Sequence, residues 1–356
     1  MKMSRQGNPR SKERVWALGV GVGLVLAVAL AVGACGSGTT TSTTAGVTTT
    51  SLATTTSAAA TNASKTLVVY GAGTLANPFS QIITAFKEKN PGITVNSHFG
   101  ASGDDVKDIT QLGQPVDVLG VADYSLIPSE MFSVSGKSYA SWYIGLVSNQ
   151  ITFAYTAKSK GASQLTSSNW YKILAEPGVK IGRSNPAADP SGYQILQALQ
   201  LANGYYHDAS LSASVLKNSP SATEAETETS LLAALQSGQI DYLAIYRSDA
   251  LQNRLKYIAL PAQINLSDAS LSKTYATVTV QGPKGRVTGK PIIYGLTIPS
   301  NAPNSTLAEQ FVAFVLGPQG QAIMKANGFV VISPALASSA SAIPSSLAPL
   351  TKAWPK

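Results

Sequence analysis

From Leu67 onward the chain alternates short β-branched and aromatic runs with stretches of helical period, and this alternation restricts it to an α/β architecture. Thr66–Tyr70 reads as a buried strand running into Gly71-Ala72-Gly73-Thr74. A helix follows from about Pro78, with Phe79, Ile82, Ile83 and Phe86 on one face, and Asn90-Pro91-Gly92 stops it. Ile93–Val95 is a second strand, Asp104–Leu112 a helix and Val116–Leu119 a third strand. A second unit starts near residue 148, with a strand at Ile151–Tyr155, a helix around Trp170–Ala175 and a strand at Lys180–Gly182. Asp189-Pro190-Ser191-Gly192 opens a helix running from Tyr193 to about Ala202, and Thr227 or Glu228 opens another over Ser230–Gln236, before a strand at Tyr242–Tyr246. Past Pro261 the chain returns: Tyr275–Val280 and Pro291–Ile298 are strand-like, Leu307–Leu316 and Gln319–Ala326 helical. The pattern predicts largely parallel sheets in two lobes, crossed twice by the chain, with a cleft at the C-terminal ends of the strands. Such an architecture does not by itself name a ligand.

The first 64 residues are of another kind. Lys2, Arg5, Arg10, Lys12 and Arg14 precede an uncharged run from Val15 to Ala34, and Val32-Gly33-Ala34 leads into Cys35, the only cysteine. A basic start, an apolar run and small residues make a secretory signal. A cysteine directly after it resembles a bacterial lipobox, which implies a lipid on Cys35 and removal of residues 1–34. The alternative is an uncleaved membrane anchor, since 20 apolar residues can span a bilayer. Either reading puts the remainder outside the cytoplasm. Residues 36–64 are almost entirely Thr, Ser, Ala and Gly and bury too little surface to offset ordering entropy. Residues 35–64 are thus expected to be a disordered tether, roughly 30 Å between its ends.

Composition excludes several functions. One cysteine removes disulfide frameworks and multi-cysteine metal sites, and His98 and His207 leave little material for histidine chemistry. Loss of the leader's five bases and one acid lowers the formal charge from +8 to +4, with no basic run to grip nucleic acid. Gly71-x-Gly73-x-x-Ala76 satisfies a loose dinucleotide fingerprint, but Pro78 falls in the turn and no acid closes the second strand near Asn96. No Gly-x-Ser-x-Gly elbow is present, so hydrolysis lacks a nucleophile and no enzyme is expected.

Several motifs recur in a specific order. They are Tyr70-Gly-Ala-Gly-Thr-Leu75, Phe99-Gly-Ala-Ser-Gly103, Ala122-Asp-Tyr-Ser-Leu-Ile-Pro128, Ile181-Gly-Arg-Ser-Asn-Pro186 and Asp189-Pro-Ser-Gly-Tyr193. Glu228-Thr-Ser-Leu-Leu232, Asp241-Tyr242, Tyr246-Arg-Ser248, Leu260-Pro261 and Ile264-Asn-Leu-Ser-Asp268 follow. In these motifs, from Leu67 to about Pro349, the chain resembles the lipid-anchored tungstate/molybdate-binding components of ABC importers. The resemblance implies a two-lobe, periplasmic-binding-protein-like fold of type II. Lobe 1 would comprise residues 65–148 and 266–356, and lobe 2 residues 149–265. It implies a tungstate or molybdate oxyanion as ligand, no cofactor, an ABC permease with its ATPase subunit as partners, and a monomer held at the outer face of the cell membrane.

By the same resemblance, Thr74 (with Gly73 beside it) and Ser102 bind oxo groups, Tyr246 donates to another, and Asp189 and Glu228, flanked by Thr227 and Thr229, approach the metal itself. Ser191 stands where the family often has Cys, and Ile245 where it often has Glu; Asn185 and Gln194 are also atypical. Read alone, Asp189 is an ordinary helix N-cap, Glu228 a first-turn charge, Thr74 and Ser102 turn residues and Tyr246 a core tyrosine. A dianion without protons calls for hydroxyls and helix N-termini. Carboxylates would oppose it: like charges 4 Å apart repel by about 4 kcal/mol at an effective dielectric of 20. They fit only if their oxygens reach a hexavalent metal, which prefers oxygen ligands and can expand its coordination where sulfur in sulfate cannot. Phosphate or sulfate is the alternative ligand, and phosphate could donate its proton to either acid.

Overall fold

The computed structural model describes residues 65–354. The predicted leader, Cys35 and the tether lie outside the described residues. Strands β1 (Thr66–Ala72), β2 (Thr94–Gly100), β3 (Val118–Val121) and β4 (Ile144–Ser148) come first, then β5 (Ile151–Tyr155), β6 (Ile181–Ser184), β7 (Glu224–Ala225), β8 (Tyr242–Tyr246) and β9 (Lys256–Tyr257). β10 (Thr279–Gly282), β11 (Gly285–Thr288), β12 (Ile293–Thr297), β13 (Val330–Ala337) and β14 (Thr351–Ala353) complete the set. One sheet has the order β14-β13-β4-β12-β3-β1-β2, the other β7-β6-β8-β5-β9, and β10 pairs with β11 as a hairpin. The fold is α/β with two lobes, one on each sheet.

The sheets are mixed, which corrects the expectation of largely parallel ones. β1 runs parallel to β2 and β3, and β6 to β7 and β8, through crossover helices. β12 is antiparallel to β3 and β4, and β5 to β8 and β9. The antiparallel members flank the two crossings, where no helical crossover turns the chain back in the same direction. Tyr275–Val280 is also corrected. Ser272–Tyr275 is a short helix whose buried Tyr275 donates its hydroxyl to the Ala262 carbonyl (2.6 Å), and the strand begins only at Thr279. β4, β7, β9, β11, β13 and β14 are additional to the sequence reading.

The helices are close to expectation: Ala76–Lys89, Ser102–Thr110, Pro190–Tyr205, Ser305–Leu316 and Pro318–Ala326. In the first lobe, Phe79, Phe86 and Phe311 meet edge-on, with Phe86 and Phe311 centroids 5.3 Å apart. Offset and edge-on pairs of this kind add to plain area burial. In the second lobe, Trp170 packs on Phe153 with centroids 5.8 Å apart. These cores hold the strand ends still, and every candidate site residue sits at or just beyond one of those ends. Among the described residues no helix is long and apolar enough to cross a membrane.

Candidate functional site

Thr74 follows β1 in a single 3-10 turn, Gly73–Leu75, that feeds the helix Ala76–Lys89. Ser102 follows β2 as the first residue of its helix. Both are buried, and both hydroxyls are engaged within the first lobe's framework. Thr74 Oγ1 donates to the Tyr294 hydroxyl (2.9 Å), and Ser102 Oγ accepts from the Ala122 amide (3.1 Å). Ser102 therefore keeps its own hydroxyl proton for an acceptor.

The second lobe contributes the charges. Asp189 follows β6 and caps the helix Pro190–Tyr205, with proline at the first helical position, the expected chemistry for a helix start. Its Oδ2 accepts from the Ser191 amide (3.0 Å), the Ser191 hydroxyl (2.6 Å) and the Ser184 hydroxyl (3.0 Å). The same Ser191 Oγ lies 2.8 Å from Glu228 Oε2 and 2.5 Å from Ser184 Oγ. One hydroxyl thus bridges the two acids. Glu228 precedes the 3-10 turn Thr229–Leu231, which shortens the expected helix to Leu232–Ser237. Its Oε1 is buried without a hydrogen-bond partner, a costly state for a carboxylate. Burial, then the nearby Asp189 and Asp249, push the Glu228 carboxyl well above its ordinary range. Burial also raises Asp189, against the lowering effect of the hydrogen bonds from Ser191 and Ser184.

The two sides abut. The Gly103 amide donates to the Ala188 carbonyl (2.9 Å), joining the Ser102 helix to the residue before Asp189. A Cβ on Gly103 would lie 2.6 Å from that carbonyl oxygen, so only glycine permits the approach. Gly73 is as close to the other acid's loop: a Cβ there would sit 3.0 Å from Thr229 Oγ1. Thr227 Oγ1 is bonded to the hydroxyls of Thr229 (3.0 Å) and Ser230 (2.8 Å), which stiffens that loop. Gly73, Thr74, Ser102, Asp189, Thr227, Glu228 and Thr229 therefore come together around one interlobe seam.

Tyr246, at the end of β8, is buried nearby, but its hydroxyl donates to Gln194 Oε1 (2.7 Å), a partner the sequence reading did not anticipate. Tyr294 was also missed. It stacks edge-on against Tyr246 (5.8 Å), accepts from Thr74, and lies 3.3 Å from Asn149 Nδ2. Nothing in its surroundings, Pro291–Ile298, distinguishes it from a strand residue. Ser191 had a signal, standing two residues after an N-cap acid, yet its role between two carboxylates depends on a residue 37 positions away. His98 is half exposed, 3.4 Å from buried Asp105, and takes no part in the seam. Among the described residues no group of three or more His, Cys, Asp and Glu is disposed to hold a metal cation. The seam can instead offer hydroxyl donors from one lobe and carboxylate oxygens from the other.

Residues 67–330 match the family described as bacterial extracellular solute-binding protein. An uncharacterized solute-binding protein of Petrotoga mobilis is 42% identical over 274 residues, covering 75% of this chain and 84% of that one. The molybdate/tungstate-binding protein WtpA of Pyrococcus abyssi is 35% identical over 299 residues, covering 76% and 86%. Among solved structures, the periplasmic molybdate-binding protein of Azotobacter vinelandii superposes with a TM-score of 0.53 at 22% identity, covering 75% of this chain and 99% of that one. That likeness concerns the fold. With the match spanning most of the body and its strand-end site lying between two lobes, the chain belongs to the bacterial extracellular solute-binding proteins.

Proposed function

We propose that this protein captures tungstate or molybdate between its lobes and releases it, chemically unchanged, to an ABC importer. The observation that carries the reading is the pair Asp189 and Glu228, buried together on one hydroxyl, with Glu228 Oε1 left unpartnered. Such acids repel an ordinary oxyanion but suit a hexavalent metal centre that accepts further oxygen ligands. Thr74, Ser102 and the amides at the starts of their helical turns hold the oxo groups, with Gly73, Thr227 and Thr229 shaping the approach. Tyr246 donates to an oxo group once released from Gln194. Relatives whose names include molybdate and tungstate support this choice.

A lipid on Cys35 and the tether of residues 35–64 would keep the monomeric body at the outer face of the membrane, beside the permease and its ATPase. Titration calorimetry on the body from residue 65 tests the reading. Tungstate or molybdate at 100 times its dissociation constant should stabilise the fold by about 2.7 kcal/mol, with sulfate and phosphate giving nothing comparable. Equal or tighter binding of phosphate or sulfate would overturn the choice of ligand.

A further inference from the structure

The helix capped by Asp189 carries a second polar group one turn later. Tyr193 lies four residues on, so both side chains leave the same face of the helix, toward the first lobe. Asp189 enters the seam. Tyr193 reaches past it and donates its hydroxyl to Asp123 Oδ2 (2.8 Å), just beyond the end of β3 in the other sheet. Both residues are 1% exposed.

Asp123 is otherwise furnished from outside the second lobe's sheet. Its Oδ1 accepts from the Ser125 amide and hydroxyl, each at 2.9 Å, and Lys290 Nζ pairs with its Oδ2 at 2.8 Å. Lys290 also donates to Ser125 Oγ (2.7 Å) and stands three residues before β12, where the chain re-enters the seven-stranded sheet. Burial alone would raise the Asp123 carboxyl, but Lys290, Ser125 and Tyr193 together hold it below the usual range. It is an anion, and among the described residues Tyr193 is the one hydrogen-bond donor that reaches it from the second sheet's helices. Withdrawal of the helix Pro190–Tyr205 from the end of β3 would break this charge-assisted bond.

We propose that Tyr193 and Asp123 form an interlobe latch that sets how long the closed protein retains its anion. Neither residue is among those assigned to the anion, so the pair acts on the closed arrangement and not on ligand chemistry. A bond of this class corresponds to roughly ten- to hundredfold in an equilibrium constant. Its loss should fall on dissociation, because the open form meets the anion before the latch is made.

The inference rests on the capture reading, and Tyr193→Phe tests it because the ring, and with it the local packing, is retained. Tungstate dissociation from the variant, measured by stopped flow with excess chelating competitor protein, should be at least tenfold faster. The association rate should stay within about twofold, and the preference for tungstate over sulfate should not change. An unchanged dissociation rate would overturn the latch, as would a loss confined to association. Should the unaltered chain bind no tungstate, the capture reading fails separately. The latch is then decided with phosphate or sulfate as the bound anion, whose dissociation Tyr193→Phe must speed at least tenfold, and an unchanged rate refutes it.

Discussion

The two walls of the cleft solve opposite problems. On the first-lobe wall, Thr74 and Ser102 are neutral, and each hydroxyl has a framework partner within its own lobe, so that wall is stable whether or not anything faces it. On the second-lobe wall, Asp189 and Glu228 are crowded onto Ser191, one oxygen has no partner, and both carboxyls are driven upward, with burial the leading cause. Buried acids without cationic partners weaken a fold. The proposed capture would divide the labour accordingly: the hydroxyl wall would position any tetrahedral oxyanion, and the acid wall would decide which element lies at its centre.

The sharpest way to break this comparison is Glu228→Gln, which keeps shape and removes charge. Tungstate affinity should fall by on the order of a hundredfold, while thermal unfolding without anion moves upward because a buried carboxyl that resists ionisation beside Asp189 gives way to a neutral amide. Calorimetry and a melting curve read both signs; an unchanged affinity would place Glu228 outside the metal's reach. A smaller effect belongs to the neutral wall. Thr74→Val should weaken tungstate and sulfate alike by about fivefold, and Thr74→Ser should leave both unchanged, since only the hydroxyl is used. A Thr74→Val defect restricted to tungstate would erase the proposed division.

A last test concerns stability alone and asks whether acid burial is peculiar to one wall. Asp105, in the Ser102 helix, is raised from 3.8 to about 9, first by burial and then by Asp108 and Asp189. Its folded form binds a proton that the unfolded chain releases near the ordinary value. This contribution is therefore fully present below about pH 4 and is lost as the pH rises toward 9. Asp105→Asn should match the parent's melting temperature near pH 4 and exceed it at pH 8, with tungstate affinity unaltered. Parallel melting profiles across that range would show Asp105 to be solvated.

Much of this molecule could be read before its coordinates. The helices starting near Ser102 and Asp189 announce themselves because cap chemistry and apolar period are local. The strands Ile151–Tyr155 and Tyr242–Tyr246 have the bounds expected of them. Sheet direction was not legible, because whether β5 and β12 run with or against their neighbours depends on where the chain changes lobes. The candidate positions could be named from ordered motifs, yet the hydrogen bonds between them could not. Ser191 joins Asp189 to Glu228, and Gln194 takes the Tyr246 hydroxyl, across 37 and 52 residues of sequence. Those partnerships exist only once separate strand ends are brought together.

Only Asn149 and Gln150 separate the last residue of β4, in one sheet, from the first residue of β5, in the other. Asn149 is tied to Ser248 at 2.8 Å, and the Arg247 amide is bonded to the Gln150 carbonyl at 3.0 Å. A joint with so little slack permits a swing but hardly a slide. Any rotation of one half against the other would therefore turn about these two residues.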